Sequence, residues 1–255
     1  MISAAKVRAQ SILKYNWIRV VGLMFITFVI ELLSGTNLSN LYKRDGSIGF
    51  SLLSISSSGG LSFVFLGGLI GSILFFIIVD LIENIKRQED RGYLTAFLYP
   101  FKNWSLLIKG SIIGIFNRIL LFSFAITLGI FVFNLLIVSM GGFTASSLIS
   151  TAVMLLIICI SMWLYLGFSQ ALYILYEEPK LKLRKCIYYS FKMADGNRWW
   201  LIGFYLSFYF WFILGALALI VGVFWSMAYF QVSRFEFYHV LKTRTFGSLG
   251  LPDEI

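Results

Sequence analysis

Two opposite charges stand in stretches otherwise suited to hydrocarbon: Glu31, and Arg118 with Asn117 beside it. An ionisable group inside a bilayer costs several kcal/mol, so each calls for a partner or a boundary. Both lie 14 residues after a tryptophan, Trp17 and Trp104, which predicts similar depth on matching helices. Two arrangements satisfy that spacing. The charges pair within the membrane, each offsetting the other's desolvation, or Glu31 closes its span at the outer boundary while Arg118 snorkels inward.

A second polar set falls where apolar segments end. Asp80, Glu83 and Arg87 are at helical spacing at one exit, and Arg234, Glu236 and His239 occupy another. With Asn117 and Gln170 nearby in the pattern, Asp80, Glu83, Gln170, Arg234 and Glu236 are candidates for an inner vestibule. Solvated helix ends tied by local ion pairs are the plainer alternative.

Catalytic patterns are incomplete. Glu177-Glu178-Pro-Lys-Leu-Lys182 and Phe235-x-x-x-His239 share an outline with the glutamate-glutamate and histidine motifs of prenyl-protein proteases, but Lys182 stands where that pattern has Arg. His239 is the single histidine, so neither a metal-ligand set nor a water-activating array can be completed. H-E-x-x-H, P-loop and nucleotide fingerprints are missing. Cys159 and Cys186 are too few and too far apart for a metal site, and neither is placed for a structural disulfide. The expectation is no catalytic residue, no metal and no cofactor, with an intramembrane enzyme as the third-ranked function.

The elements that must carry these residues follow from composition. Of 255 residues 59% are hydrophobic and 13% charged, against about 25% charged in an ordinary soluble domain, so the chain cannot cover itself with polar surface. It reads as an all-α integral membrane protein, and a nucleic-acid binder is excluded despite the net charge of +9. Crossing about 30 Å of hydrocarbon takes roughly 20 apolar residues. Helices are predicted at Trp17–Leu33, Leu61–Val79, Ile112–Val138 and Leu148–Leu175, with an apolar block at Trp199–Tyr238. A tight turn around Gly215–Gly222 makes that block two spans; otherwise it is one span and a surface helix.

Lysine and arginine sort by segment, 17 in the segments assigned inside and 2 (Lys43 and Arg44) in those assigned outside, which places both termini inside with six spans. The first apolar stretch lacks a small-x-small cleavage site and reads as an uncleaved anchor. The basic excess then faces the anionic inner leaflet.

A short pattern recurs: Lys14-Tyr15-Asn16-Trp17, Phe101-Lys102-Asn103-Trp104 and Gly196-Asn197-Arg198-Trp199. An amphipathic stretch precedes each copy, with stripes at Ile2, Ala5, Ala9 and Ile12, at Leu94, Phe97, Leu98 and Phe101, and at Leu183, Ile187 and Phe191. This predicts three hairpins, each led by a cytoplasmic interfacial helix and anchored by Trp17, Trp104 or Trp199. The units cover about 1–90, 91–180 and 181–245 of a single domain, with a short tail at 246–255. Gly67 and Gly71, and Gly110 and Gly114, form two G-x-x-x-G pairs for close helix packing.

The stretch Trp211–Gly222 leading into Trp225–Tyr238, with Ser190-Phe191-Lys192 and Asn197-Arg198-Trp199 upstream, resembles the bacterial integral membrane proteins catalogued as domain of unknown function 975. Those proteins are distantly similar to the membrane domain of some glycerophosphodiester phosphodiesterases. The resemblance implies six spans in a Gram-positive plasma membrane and carries over no catalytic residue. The expected function is non-enzymatic binding or translocation of an amphiphile such as a lipid, a lipid-linked precursor or a hydrophobic peptide. An accessory or immunity-type protein, partnered by an exporter or a membrane-active peptide, is the alternative.

Overall fold

The computed structural model describes residues 1–35, 57–89, 93–141 and 145–247. Every regular element among them is an α-helix: α1 (Ile2–Leu13), α2 (Trp17–Gly35), α3 (Ser57–Lys86), α4 (Tyr93–Lys102), α5 (Trp104–Gly141), α6 (Ala145–Phe168), α7 (Ala171–Glu177), α8 (Leu183–Ala194), α9 (Arg198–Leu217) and α10 (Leu219–Phe246). Most of the outer segment Ser34–Gly60, with Lys43 and Arg44, lies outside the described residues, as does the tail from 248.

Four stretches are long and apolar enough to cross a membrane: Phe65–Lys86, Trp104–Leu136, Ser146–Glu177 and Arg198–Leu217. That property marks the chain as a membrane protein. A fifth candidate is the pair α1 and α2, bent by 100° at its break.

Each short amphipathic helix is separated from the long helix after it by a break that holds an asparagine. The backbone N–H of Asn16, Asn103 and Asn197 donates back to Leu13 O, Pro100 O and Ala194 O at 2.9, 3.3 and 3.0 Å. Their carbonyls then accept from Val20, Leu107 and Leu201 at 3.2, 3.2 and 3.0 Å, opening the next helix. An N-cap residue already supplies the first helical acceptor while its own dihedrals are free to turn; at Asn197 the side chain ties the break to the preceding helix, its Nδ2 donating to Met193 O at 3.1 Å. The three breaks therefore share one backbone hydrogen-bond pattern.

Three expected boundaries move, the first being the end of the span predicted at Leu61–Val79, since α3 runs on to Lys86 and carries Asp80 and Glu83 within the helix. Helix α5 begins at Trp104 rather than Ile112 and runs through Lys109, whose ammonium donates to Pro179 O at 3.0 Å and Leu181 O at 2.9 Å. The predicted span Leu148–Leu175 is interrupted at Ser169 and Gln170, dividing α6 from α7. Side chains from the C-terminal third cover carbonyls near the interruption: Ser190 donates to Gly167 O, Cys186 to Ala171 O and Arg234 to Ser169 O. The end of α6 leaves carbonyls without intrahelical partners, and the donors to Gly167 O and Ser169 O meet part of that demand.

The Trp199–Tyr238 block divides at Ala218 into α9 and α10, which double back on one another. Gly215 and Gly222 allow the closure, since a Cβ on Gly215 would stand 2.7 Å from Gly222 O. Helices α3 and α5 cross just as closely. A Cβ on Gly114 would sit 2.5 Å from Gly68 O, and one on Gly110 would strike the Phe76 ring. Gly114 thus packs on Gly68, while the missing Cβ of Gly67 faces the Arg118 guanidinium at 3.9 Å; Gly71 is half-buried in α3.

The core gathers around the C-terminal half of α3, the short α7 and α10. Tyr173 of α7 is buried against Phe75 and stacks on Tyr238, while Phe204 of α9 stacks on Phe237 at 4.6 Å between centroids. Full burial of such a ring is worth about 1.5–3 kcal/mol. Helix α1 lies along this core, burying Ala5, Ala9 and Leu13, with Gln10 Nε2 donating to Tyr229 OH at 3.4 Å.

Candidate functional sites

The first site is a polar cavity of about 330 Å³ where α3 ends. Helix α3 contributes Asp80, Glu83 and Asn84, with Arg87 and Glu89 just beyond it; α4 contributes Tyr99, α7 contributes Tyr176 and Glu177, and α10 contributes Phe235 and His239. Asp80 is buried and accepts from Asn84 Nδ2 at 2.9 Å and Tyr176 OH at 3.1 Å. Glu83 accepts from Arg87 Nε at 2.9 Å, one helical turn on. Glu177 binds Tyr238 OH at 2.6 Å and the Lys242 ammonium, and its second oxygen lies 3.7 Å from His239 Nδ1. Burial, then the nearby Lys86 charge, holds the imidazole below its ordinary range, with Glu177 opposing. Burial likewise raises the Tyr99 hydroxyl. It also pushes the Cys186 thiol up to about 12, which leaves that cysteine a poor nucleophile.

The vestibule residues read from sequence thus occupy different places. Asp80 and Glu83 line the cavity. Glu236 is buried beside it and takes an ion pair from Lys86 at 2.8 Å. Gln170 and Arg234 are not among its lining residues: Gln170 is buried at the α6–α7 interruption, and Arg234 donates from Nη2 to Ser169 O at 2.9 Å with its guanidinium over Tyr173. Its positive charge therefore stands at the negative end of α6, where the helix dipole favours it.

The second site is an apolar groove of about 360 Å³ lined by Gln10, Trp17, Trp211, Leu214, Gly215, Gly222, Trp225, Ser226 and Tyr229. Trp17 meets Trp225 edge-on at 5.2 Å, and Trp211 meets Tyr229 in the same way at 5.3 Å. Trp211 and Trp225 are each about half exposed, so the groove opens outward. No charged side chain lines it; its polar side-chain groups are the Gln10 amide, the Ser226 and Tyr229 hydroxyls and the indole N–H groups of Trp17, Trp211 and Trp225.

Of the three tryptophans read as interface anchors, Trp104 and Trp199 stand 71% and 83% exposed, whereas Trp17 is half-buried as a wall of the groove. The cause is the bend between α1 and α2, which folds α1 against α10. In α4 the protein-facing positions are Ala96 and Pro100, and Leu94, Leu98 and Phe101 of the predicted stripe face outward. The Glu31 side chain lies outside the described residues, and with it the choice between a Glu31–Arg118 pair and placement of Glu31 at the outer boundary. Asn117 is half-buried in α5, with Oδ1 enclosed and without a hydrogen bond.

Sequence reasoning passed over the groove, although Gly222, Trp225 and Tyr229 fall on one face of a helix. It set Glu177 and His239 aside as an incomplete motif, and the structure brings them together.

An all-helical architecture among the described residues, with several membrane-length apolar helices, defines an integral membrane protein of the polytopic helical class. The chain matches the model of a protein of unknown function (DUF975) over residues 2–245 and belongs to that family. No curated protein and no solved structure matches it.

Proposed function

We propose that this chain is a non-enzymatic, six-span bacterial plasma-membrane protein that binds or translocates an amphiphile, with both termini inside. The observation that carries the binding role is the aromatic groove. Its volume falls within the roughly 300–1,000 Å³ of ordinary small-molecule sites, its walls are almost wholly apolar, and it opens beside exposed Trp211, Leu214 and Trp225. A hydrocarbon chain lies against the tryptophans, and a small uncharged polar group reaches the Gln10 amide. In the six-span reading α2 and α10 supply the spans beyond the four apolar stretches. The shared hydrogen-bond pattern at Asn16, Asn103 and Asn197 supports three repeated units. The outward Leu94, Leu98 and Phe101 suit an α4 resting on the inner leaflet.

The test is reconstitution of the full chain in liposomes carrying fluorescent phospholipid. Uptake or scrambling above that of empty liposomes is expected, falling at least about fivefold in a Trp211→Ala, Trp225→Ala double variant that keeps its thermal midpoint. Rates equal to those of empty liposomes would overturn the proposal. An accessory role beside an exporter or a membrane-active peptide draws instead on the α5–α6 hairpin, whose apolar faces are open. A neighbouring gene for a small cationic peptide or an exporter would favour it.

A further inference from the structure

The aromatic groove changes character along its length. Helix α1 lies beside α9 in register: the Ile2 side chain reaches to 3.4 Å from where a Cβ on Gly203 would stand, Lys6 Nζ donates to Ser207 O at 3.4 Å, and Gln10 and Trp211 line the groove together. Each step of four residues advances both helices by about 6 Å. From Lys6 the order is therefore ammonium, then the Gln10 amide with the Tyr229 hydroxyl, then the tryptophans, and last Leu214, Gly215 and Gly222 by the α9–α10 turn.

Charge at the polar end is of one sign. Residues 1–30 hold Lys6, Arg8, Lys14 and Arg19 and no carboxylate, and the α9–α10 walls carry no charged residue from Trp199 to Ser233. Lys6 is half-buried and makes no ion pair among the described residues; it has the long bond to Ser207 O and the Phe208 ring at 4.6 Å. A partly desolvated cation is costly unless a counter-charge meets it, and an ammonium with three donors has two left to offer. Gln10 Nε2 likewise keeps a second N–H beyond the one given to Tyr229 OH. Apolar wall, neutral donor and cation follow one another in the order of acyl chain, ester carbonyl and phosphate. A fatty acid, whose anion joins its chain directly, would leave either the amide or the ammonium unmet.

We propose that the groove takes an anionic phospholipid, with an acyl chain against Trp17, Trp211 and Trp225, an ester carbonyl on the Gln10 amide and the phosphate at Lys6. This rests on the groove being the amphiphile site and specifies the amphiphile by its head group.

Of the seven tryptophans, Trp104, Trp163, Trp199 and Trp200 lie outside the groove. In a full chain with Trp104→Phe, Trp163→Phe, Trp199→Phe and Trp200→Phe, placed in phosphatidylcholine vesicles, fluorescence reports the groove tryptophans alone, and phospholipids brominated on the acyl chain quench it on contact. Brominated phosphatidylglycerol is expected to quench with at least about fivefold higher relative affinity than brominated phosphatidylcholine. Lys6→Gln should bring the two within about twofold at an unchanged thermal midpoint, while Lys6→Arg keeps the preference. Arg8→Gln, which removes the same charge from an exposed face of α1, should keep it too. In the unaltered chain, native mass spectrometry from an equimolar mixture of the two lipids should show the same preference and its loss with Lys6→Gln. Equal affinity for the two lipids, a preference that survives Lys6→Gln, or one lost equally in Arg8→Gln overturns the head-group assignment and leaves the groove an amphiphile site. Absence of quenching by either lipid at a retained thermal midpoint overturns the amphiphile site and this proposal with it.

Discussion

The α5–α6 hairpin and the packed body around α3, α7 and α10 are built from similar residues and behave as opposites. Beyond Leu120 of α5, nearly every large apolar side chain of the hairpin is exposed or half-exposed, including Ile130, Phe133, Leu136, Leu156 and Ile160. None of the hydropathy window in Trp104–Leu136 is buried within the protein, whereas 67% of that in Phe65–Lys86 is, at the same mean hydropathy of 2.5. Hydropathy therefore reports fitness for an apolar environment and not which environment supplies it. For the hairpin that environment is lipid; for α3 much of it is the protein's own rings.

The largest expected effect tests this contrast with one substitution made twice. Phe204→Ala removes a buried ring stacked on Phe237 and should cost about 3–5 kcal/mol, read as a lowered thermal midpoint in detergent. Phe133→Ala, at a ring 63% exposed, should move it by less than about 0.5 kcal/mol. Equal losses would make the hairpin part of the core. Glycine gives a second pair. Gly114→Leu forces its side chain into the Gly68 backbone and should cost about 3 kcal/mol, while Gly129→Ala, whose added Cβ meets nothing within 4 Å, should not lower the midpoint. The smallest effect lies inside the hairpin, where Asn134 donates to Ser150 Oγ and accepts from Thr151 Oγ1, each at 3.1 Å. A double-mutant cycle with Asn134→Leu and Thr151→Val should give about 0.6 kcal/mol of coupling. A value near zero would leave the two helices held by shape alone.

Much of the helical plan is legible in the sequence. The breaks before α2, α5 and α9 are signalled by the Asn-Trp pattern because the asparagine carbonyl opens the helix that follows, a local event that needs no distant partner. The division of the Trp199–Tyr238 block is legible for a related reason, since Gly215 and Gly222 are what the close approach requires. Lys109 misled the reading of α5 because its charge is satisfied by carbonyls of Pro179 and Leu181, some seventy positions away. The groove joins Trp17 to Trp211 and Trp225 through a 100° bend between α1 and α2, and neither flanking helix encodes that angle by itself. The polar cavity was half visible: Asp80 and Glu83 announced themselves by helical spacing, while Glu177 and His239 depend on how α7 and α10 meet.

Helix α10 carries Arg234, Glu236, Lys242 and Arg244 and is not among the helices apolar enough to cross a membrane alone. Its charges are met by earlier parts of the chain: Ser169 O for Arg234, Lys86 for Glu236 and Glu177 for Lys242. During synthesis α10 emerges after every one of these partners. The hairpin α5–α6 can partition into lipid as soon as it is made, but α10 gains its full complement of contacts only once α3 and α7 are in place. The order of synthesis thus matches the charge pattern: the groups that meet the charges of the most polar long helix are made before that helix itself.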